Sequence, residues 1–140
     1  MPKPKSVRTP AAGVPVLEDE HQAIFDACTN LRRALREDAP LRELRSIAKN
    51  LSAHAAGHFS HEEREMRKTG YSLYPWHRRQ HHAALSKANA LARGIDSGDR
   101  EAARELLQFM TKWMTDHVGL ADRLLAAHLR NRQRELAARA

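Results

Sequence analysis

Six of the nine histidines in this chain lie between positions 54 and 82. Within that stretch, His58 and Glu62 form one pair of metal-ligand residue types, and His77 and His81 form another, each pair four residues apart. Residues at i and i+4 lie on the same face of an α-helix, so each pair can direct two ligand atoms at one point. One pair would be weak evidence, but two in one short stretch predict helices that share a metal site.

Apolar residues recur at three- and four-residue steps in four segments, which is typical of helices with one buried face. We expect these helices to cover about positions 15–37, 41–68, from 72–76 to 95, and 100–130. Pro40 and Gly70 mark two of the boundaries, because the residue before a proline avoids helical angles and glycine readily ends a helix. Four amphipathic helices with short connectors predict an all-α protein with the antiparallel up-down-up-down four-helix bundle fold.

The charge is concentrated at the two ends of the chain. Of the net charge of +7, the first thirteen residues carry +3, the last thirteen carry +3, and the body carries the remaining +1. We therefore expect a bundle over residues 15–130, a flexible basic arm over 1–14, and a basic tail over 131–140. Basic tails attract acidic surfaces non-specifically, so an acidic partner is possible, whereas specific binding of nucleic acid is not expected.

The chain contains one cysteine, Cys28, and has no apolar run long enough to span a membrane. A single cysteine excludes an internal disulfide and fits a reducing compartment. The N-terminal stretch has no continuous apolar core and is a poor secretory signal. We expect a cytoplasmic protein that is a monomer or a weak oligomer.

Titratable residues interrupt the apolar stripes of all four predicted helices. Burying such groups is costly unless each is paired or bound to a metal. In an antiparallel bundle their positions along the helices place them at one end of the core, where a metal centre is the simplest explanation. The candidates of this kind are His21, His58, Glu62, His77, His81 and His117.

Asp122 is a seventh candidate, but it lies five residues after His117. At about 100° per residue, five residues rotate a side chain by roughly 140° away from the first one. Gly119 lies between them and costs about 1 kcal/mol in a helix interior. We therefore predict a π-type bulge here, which would return Asp122 to the buried face.

Five imidazoles and two carboxylates without a thiolate suit iron better than a structural zinc ion. Seven ligands exceed the needs of one ion, whereas two ions bridged by the two carboxylates use them all. A zinc-protease helix is excluded because its second histidine is missing after His61-Glu62. Ferritin-like di-iron proteins need two Glu-x-x-His motifs, and only Glu18 to His21 provides one.

The complete pattern resembles the bacterial hemerythrin family over about residues 14–129. The resemblance implies that His77, His81 and His117 bind one iron and that His21 and His58 bind the other. Glu62 and Asp122 would bridge the two irons together with an oxo or hydroxo group. The matching motifs are His21, His58-Phe59-x-x-Glu62-Glu63, His77-x-x-x-His81 and Trp113-x-x-x-His117-x-x-x-x-Asp122.

The resemblance also implies reversible binding of O2 at the iron with two histidines, for storage, delivery or sensing, rather than enzymatic activity. The alternatives are a di-iron enzyme or gas sensor acting on peroxide or nitric oxide at the same centre. A third hypothesis is an interaction module whose basic tails touch DNA or an acidic partner while the iron senses a gas. The expected O2 pocket residues are Phe25, Phe59, Trp113, Met114 and Val118.

Three departures from the family pattern are visible. Tyr71-Ser72 stands where the family has Tyr-Pro, and a proline follows only at Pro75. Met114 and Val118 replace a leucine and a common isoleucine, so we expect a looser pocket wall and faster autoxidation. The extra histidine His54 is the one candidate for an additional acid or base, although the family pattern assigns it no ligand role.

Overall fold

The computed structural model describes residues 15–139 of the chain. The fold consists of four helical rods joined by three short turns, and the fourth rod is interrupted by one π-helical turn. The predicted arm over residues 1–14 lies outside the described residues. The elements are α1 (Pro15–Arg36), α2 (Leu41–Lys68), α3 (Tyr74–Asp96), α4 (Arg100–His117), the π segment (Val118–Asp122) and α5 (Arg123–Ala138).

The turns are made by residues suited to backbone angles that helices do not use. Gly70 and Gly98 have φ angles of 65° and 98°, a region where a side chain is strained. The Asp99 carboxylate accepts a hydrogen bond of 3.0 Å from the Glu101 amide and so caps the first turn of α4. Pro75 lies in the first turn of α3, so the late proline noted in the sequence still starts this helix.

Side chains fix the two ends of the bundle. At one end, Arg100 donates to the Asp38 carboxylate (3.1 Å) and to the Ala39 carbonyl (2.9 Å), which ties the α1–α2 turn to the start of α4. At the other end, His128 on α5 is hydrogen-bonded to the Thr69 hydroxyl at the end of α2 (2.9 Å). These contacts fit the predicted antiparallel four-helix bundle, and the second end is the one that carries the candidate site.

The apolar faces of all four rods meet in one main core. A smaller cluster lies at the start of α1 and includes Leu17, Met66 and Leu125. Cys28 is 3% exposed and belongs to the main core. Among the largest side chains buried there are Ile24, Leu31, Leu51, Phe59, Leu106 and Met110.

The π segment changes the face that α5 presents to the core. If a constant helical period is assumed through positions 117–124, Leu124 is predicted to face the core. In the structure this side chain is 42% exposed. Leu125 is buried instead, at 1%. A π turn uses one residue more than an α turn, so every residue after it moves by one position relative to the core. The prediction for Leu124 was wrong because it ignored the phase change that the predicted bulge itself causes.

Candidate metal centre

Seven histidine, glutamate and aspartate side chains from all four rods are buried in the described part of the chain. Each is at most 4% exposed. Helices α2 and α3 contribute two each through their i, i+4 pairs, and the other three come from α1, the end of α4 and the end of the π segment. The buried residues are His21, His58, Glu62, His77, His81, His117 and Asp122.

Their side-chain atoms form two overlapping groups, each with ligand atoms within 4.8 Å of one another. The first group contains three histidines and the second contains two. Glu62 and Asp122 belong to both groups. The predicted convergence of these seven positions is therefore present. The first group is Glu62, His77, His81, His117 and Asp122, and the second is His21, His58, Glu62 and Asp122.

The Asp122 carboxylate lies between histidines of both groups. Its Oδ2 is 3.0 Å from the Nε2 of His21, and its Oδ1 is 3.1 Å from the Nε2 of His77 and 3.0 Å from that of His117. The predicted π segment ends at this residue and is the reason that the carboxylate faces the core. Five residues after His117, a regular α-helix would turn it aside.

Glu62 occupies the corresponding position on α2. Its Oε1 lies 3.0 Å from the Nε2 of His58 in one group and 3.3 Å from the Nε2 of His81 in the other. Asp122 thus contacts the two groups through different oxygens, which is the arrangement of a carboxylate that bridges two neighbouring ions. Glu62 also contacts both groups, but through Oε1 alone.

Many of the buried polar atoms of the site lack hydrogen-bond partners of suitable direction within the described residues. The unpartnered atoms include Nε2 of His21, His58 and His81, although carboxylate oxygens lie 3.0–3.3 Å away. Both oxygens of Asp122 and Oε1 of Glu62 are unpartnered as well. Leaving such groups buried without partners is costly. Atoms that face a common point, rather than each other, fit metal ions placed between them.

Burial and mutual contact shift the pKa values of these groups. Burial and the neighbouring Asp122 raise the pKa of Glu62 well above its usual range. Burial would also raise the pKa of Asp122, but the imidazoles of His117, His21 and His77 outweigh it and hold the pKa well below its usual range. Burial, reinforced by adjacent imidazoles, lowers the pKa of both His81 and His117. These two histidines are therefore neutral near pH 7, the state in which imidazole binds a metal.

Three polar residues outside the seven candidates hold the outer ring nitrogens of the histidines, and of these only Glu63 belongs to a motif noted in the sequence, where it has no assigned role. His58 Nδ1 donates to Glu20 (3.0 Å), which His61 also contacts at 3.1 Å. The other two contacts are His81 Nδ1 to Glu63 (3.2 Å) and His117 Nδ1 to Gln80 (2.9 Å). Such partners orient the ring and leave Nε2 free for a metal. In sequence they look like ordinary polar residues of solvated helix faces.

Aromatic rings cover the side of the group with three histidines. Phe59 stacks on His81 with ring centroids 4.1 Å apart and planes 7° from parallel, and Trp113 stacks on His117 at 4.2 Å and 15°. Met114 and Val118 are buried in the same core as Phe59. Phe25, the remaining expected pocket residue, is partly buried and packs against that core.

The other histidines lie outside the two groups. His54 is exposed on α2. His61 contacts the Glu20 carboxylate at 3.1 Å, and His82 lies 3.9 Å from the Glu63 carboxylate. His128, on α5, is hydrogen-bonded to the Thr69 hydroxyl and to none of the candidate ligands.

A sequence profile described as "Hemerythrin HHE cation binding domain" matches residues 12–129. The chain belongs to the hemerythrin family. Bacteriohemerythrin of Methylococcus capsulatus is 27% identical over 110 residues, which cover 76% of this chain and 81% of the relative. Myohemerythrin of Sipunculus nudus is 27% identical over 107 residues, covering 76% and 78%. Bacteriohemerythrin of Clostridium acetobutylicum is 24% identical over 115 residues, covering 79% and 89%.

Hemerythrins are non-heme proteins that bind oxygen at a di-iron centre. The buried groups of histidine, glutamate and aspartate in this chain are able to hold that centre. No helix within residues 15–139 is long and apolar enough to cross a membrane.

Proposed function

We propose that this hemerythrin binds O2 reversibly at two iron ions, for storage, delivery or sensing. The observation that supports this best is the pair of overlapping buried groups that share Glu62 and Asp122. When bound, the iron pair supplies the electrons and the open coordination position that O2 binding requires. His77, His81 and His117 would hold one iron, His21 and His58 the other, and the two carboxylates would bridge them.

The remaining residues of the site position these ligands and exclude water. Glu20, Glu63 and Gln80 hold three of the imidazoles through Nδ1. The rings of Phe59 and Trp113 cover the imidazoles of His81 and His117. This apolar cover disfavours the entry of water and charged species on the side of the three histidines.

One observation favours the second candidate, a di-iron enzyme that consumes peroxide or nitric oxide. Glu20 and His61, which are 29% and 23% exposed, form a hydrogen-bonded connection from solvent to His58. Such a connection could move a proton to or from the site. The exposed position of His54 makes that residue a poorer candidate for the same role.

Optical titration of the reduced, iron-loaded protein with O2 distinguishes the two functions. We expect a visible absorption band that appears with O2 and disappears on deoxygenation over repeated cycles, with two irons per chain. Irreversible oxidation together with turnover of added peroxide or nitric oxide would favour the enzyme. Absence of bound iron after growth in iron-rich medium would contradict both.

A further inference from the structure

A strongly basic groove lies between α2 and α3, towards the end of the bundle opposite the metal centre. It measures about 660 Å³ and is lined by four cationic side chains, of Arg42, Arg45, Lys49 and Arg93. Asp96 is the one acidic residue in its lining. The body of the chain is nearly neutral as a whole, so this groove concentrates positive charge that composition alone does not reveal.

The four cations are not neutralised by the protein. None of the four has an ion-pair partner among the described residues. By contrast, Arg33 on α1 contacts the carboxylates of two glutamates at 2.8 and 3.1 Å. Arg45 is held in place because it donates to the backbone carbonyl of Asp96 (2.9 Å), which leaves its charge uncompensated. Like charges held together in one groove repel each other, so an anion bound among them would relieve that repulsion.

The spacing of the cations indicates the size of that anion. Arg42, Arg45 and Lys49 are at i, i+3 and i+7 and so share one face of α2, while Arg93 lies across the groove on α3. At 1.5 Å per residue, the α2 positions span about 10 Å. A cationic run of this length has room for two linked phosphates placed side by side along α2.

The rest of the lining indicates what else the ligand contains. No aromatic or large aliphatic side chain lines this groove, all of whose residues lie in the described part of the chain. Aromatic platforms are what nucleobases stack on, and apolar or aromatic anchors are what protein partners need. Ser46 also lines the groove and is exposed, so its hydroxyl is accessible to a ligand. Hydroxyl and guanidinium donors together suit phosphate oxygens.

We propose that this groove binds a small polar anion with two or more phosphate groups. The volume is within the range of small-ligand sites. The site is separate from the proposed O2 site, since the cation nearest to it along α2, Lys49, lies nine positions, about 13 Å, before the candidate iron ligand His58.

The test is calorimetric titration of the iron-loaded protein with fructose 1,6-bisphosphate at low ionic strength. In the triple variant Arg42→Gln, Lys49→Gln, Arg93→Gln we expect binding about tenfold weaker or more, since each exposed charge contact contributes a small increment. Arg45 is left unchanged because its hydrogen bond to α3 is also structural. The matched control, Arg64→Gln, Arg130→Gln, Arg134→Gln, removes the same charge from exposed positions outside the groove and should bind as the unaltered protein does.

Equal weakening in both triple variants would overturn the proposal, because binding would then follow net charge alone. No heat of binding at millimolar bisphosphate would overturn it too. An acidic peptide or a short single-stranded DNA could bind more tightly than the bisphosphate and lose that binding in the triple groove variant. That result would also overturn the proposal, because the ligand would then be a macromolecule. The visible spectrum of the iron centre, recorded on the same samples, should be identical in all three proteins, so failure of this proposal is distinguishable from failure of O2 binding.

Discussion

Glu20 is the single carboxylate that holds both His58 and His61. Burial would raise its pKa, but hydrogen bonds from the two imidazoles outweigh this and lower it, so the residue is an anion near neutral pH. We expect Glu20→Ala to weaken iron binding about 10- to 100-fold, the usual cost of losing an outer partner of a ligand histidine. Glu20→Gln, which can still accept one hydrogen bond, should lose less.

Iron retention against a competing chelator measures this effect. His54→Ala is the matched control, because His54 lies on the same helix as His58 but is exposed. Equal retention by Glu20→Ala and the unaltered protein would contradict the positioning role.

The histidines of the metal-free protein should make its stability depend on pH. The pKa values of His81 and His117 are lowered in the folded state, whereas both titrate near 6.5 when unfolded. The unfolded chain therefore binds more protons below pH 6.5, and the free energy of unfolding falls as the pH drops. Glu62 acts in the opposite sense because its pKa is raised. We expect the two histidines to outweigh Glu62, so that the metal-free protein becomes less stable as the pH falls from 6.5 to about 5.

Chemical unfolding of metal-free protein across this pH range provides the measurement. Glu62→Gln removes the opposing contribution and should make the loss steeper, whereas a His81→Gln, His117→Gln variant should make it shallower. A free energy of unfolding that is constant from pH 7 to 5 would contradict the assignment.

Met114 and Val118 are both buried, at 1% and 4% exposure. A flexible thioether and a short branched chain pack less specifically than leucine and isoleucine. We therefore expect the double variant Met114→Leu, Val118→Ile to autoxidise several-fold more slowly than the unaltered protein, as its absorbance in air will report. Equal half-lives would contradict the looser pocket.

At the scale of residues, the sequence predicted the candidate ligands, because their regular spacing identifies them. It did not predict the residues that hydrogen-bond to the ligand histidines, because that role depends on packing. The i, i+4 pairs on α2 and α3 drew attention to the positions that converge. Glu63 was noted as part of a motif but without a role, and Glu20 and Gln80 could not be recognised, because a polar residue near a candidate ligand occurs equally on solvated faces. The roles of the converging residues as iron ligands remain predictions that the proposed measurements test.

At the scale of elements, the π segment positions Asp122 and shifts α5 by one residue. Deleting Gly119 would place the aspartate four residues after His117, which is the same face of a regular α-helix. The residues of α5 would still present the same side chains to the core as they do now. We therefore expect the Gly119 deletion to retain two irons per chain and to melt within about 5 °C of the unaltered protein.

Deletion of Glu105, an exposed residue in the regular part of α4, is the matched control. It rotates the preceding helix by about 100° relative to the site and should abolish iron binding. Loss of iron in both deletions would show that the wider turn itself, rather than the face it selects, is required.

The helix boundaries could be predicted because Pro40, Gly70 and the turn-forming residues Asp96-Ser97-Gly98-Asp99 interrupt an otherwise clear helical periodicity of apolar residues. The bulge could be predicted from the five-residue spacing between His117 and Asp122. Its consequence for Leu124 was missed because a hydrophobic stripe was counted with one constant period along the whole rod.

At the scale of the molecule, iron should contribute a large share of the stability. A ligand that binds only the folded state stabilises it by about 4 kcal/mol when present at a thousand times its dissociation constant. For a chain of this size that corresponds to a melting temperature roughly 10 °C or more higher. Calorimetry before and after iron removal, followed by reloading, measures this difference. Equal melting temperatures of the two forms would contradict a metal shared by all four rods.

Because the seven candidate ligands come from every rod, no fragment of one or two helices can assemble the complete centre. We therefore expect tight iron binding only after all four rods have packed. An incomplete or clipped chain would offer only part of the donor set and should hold iron weakly.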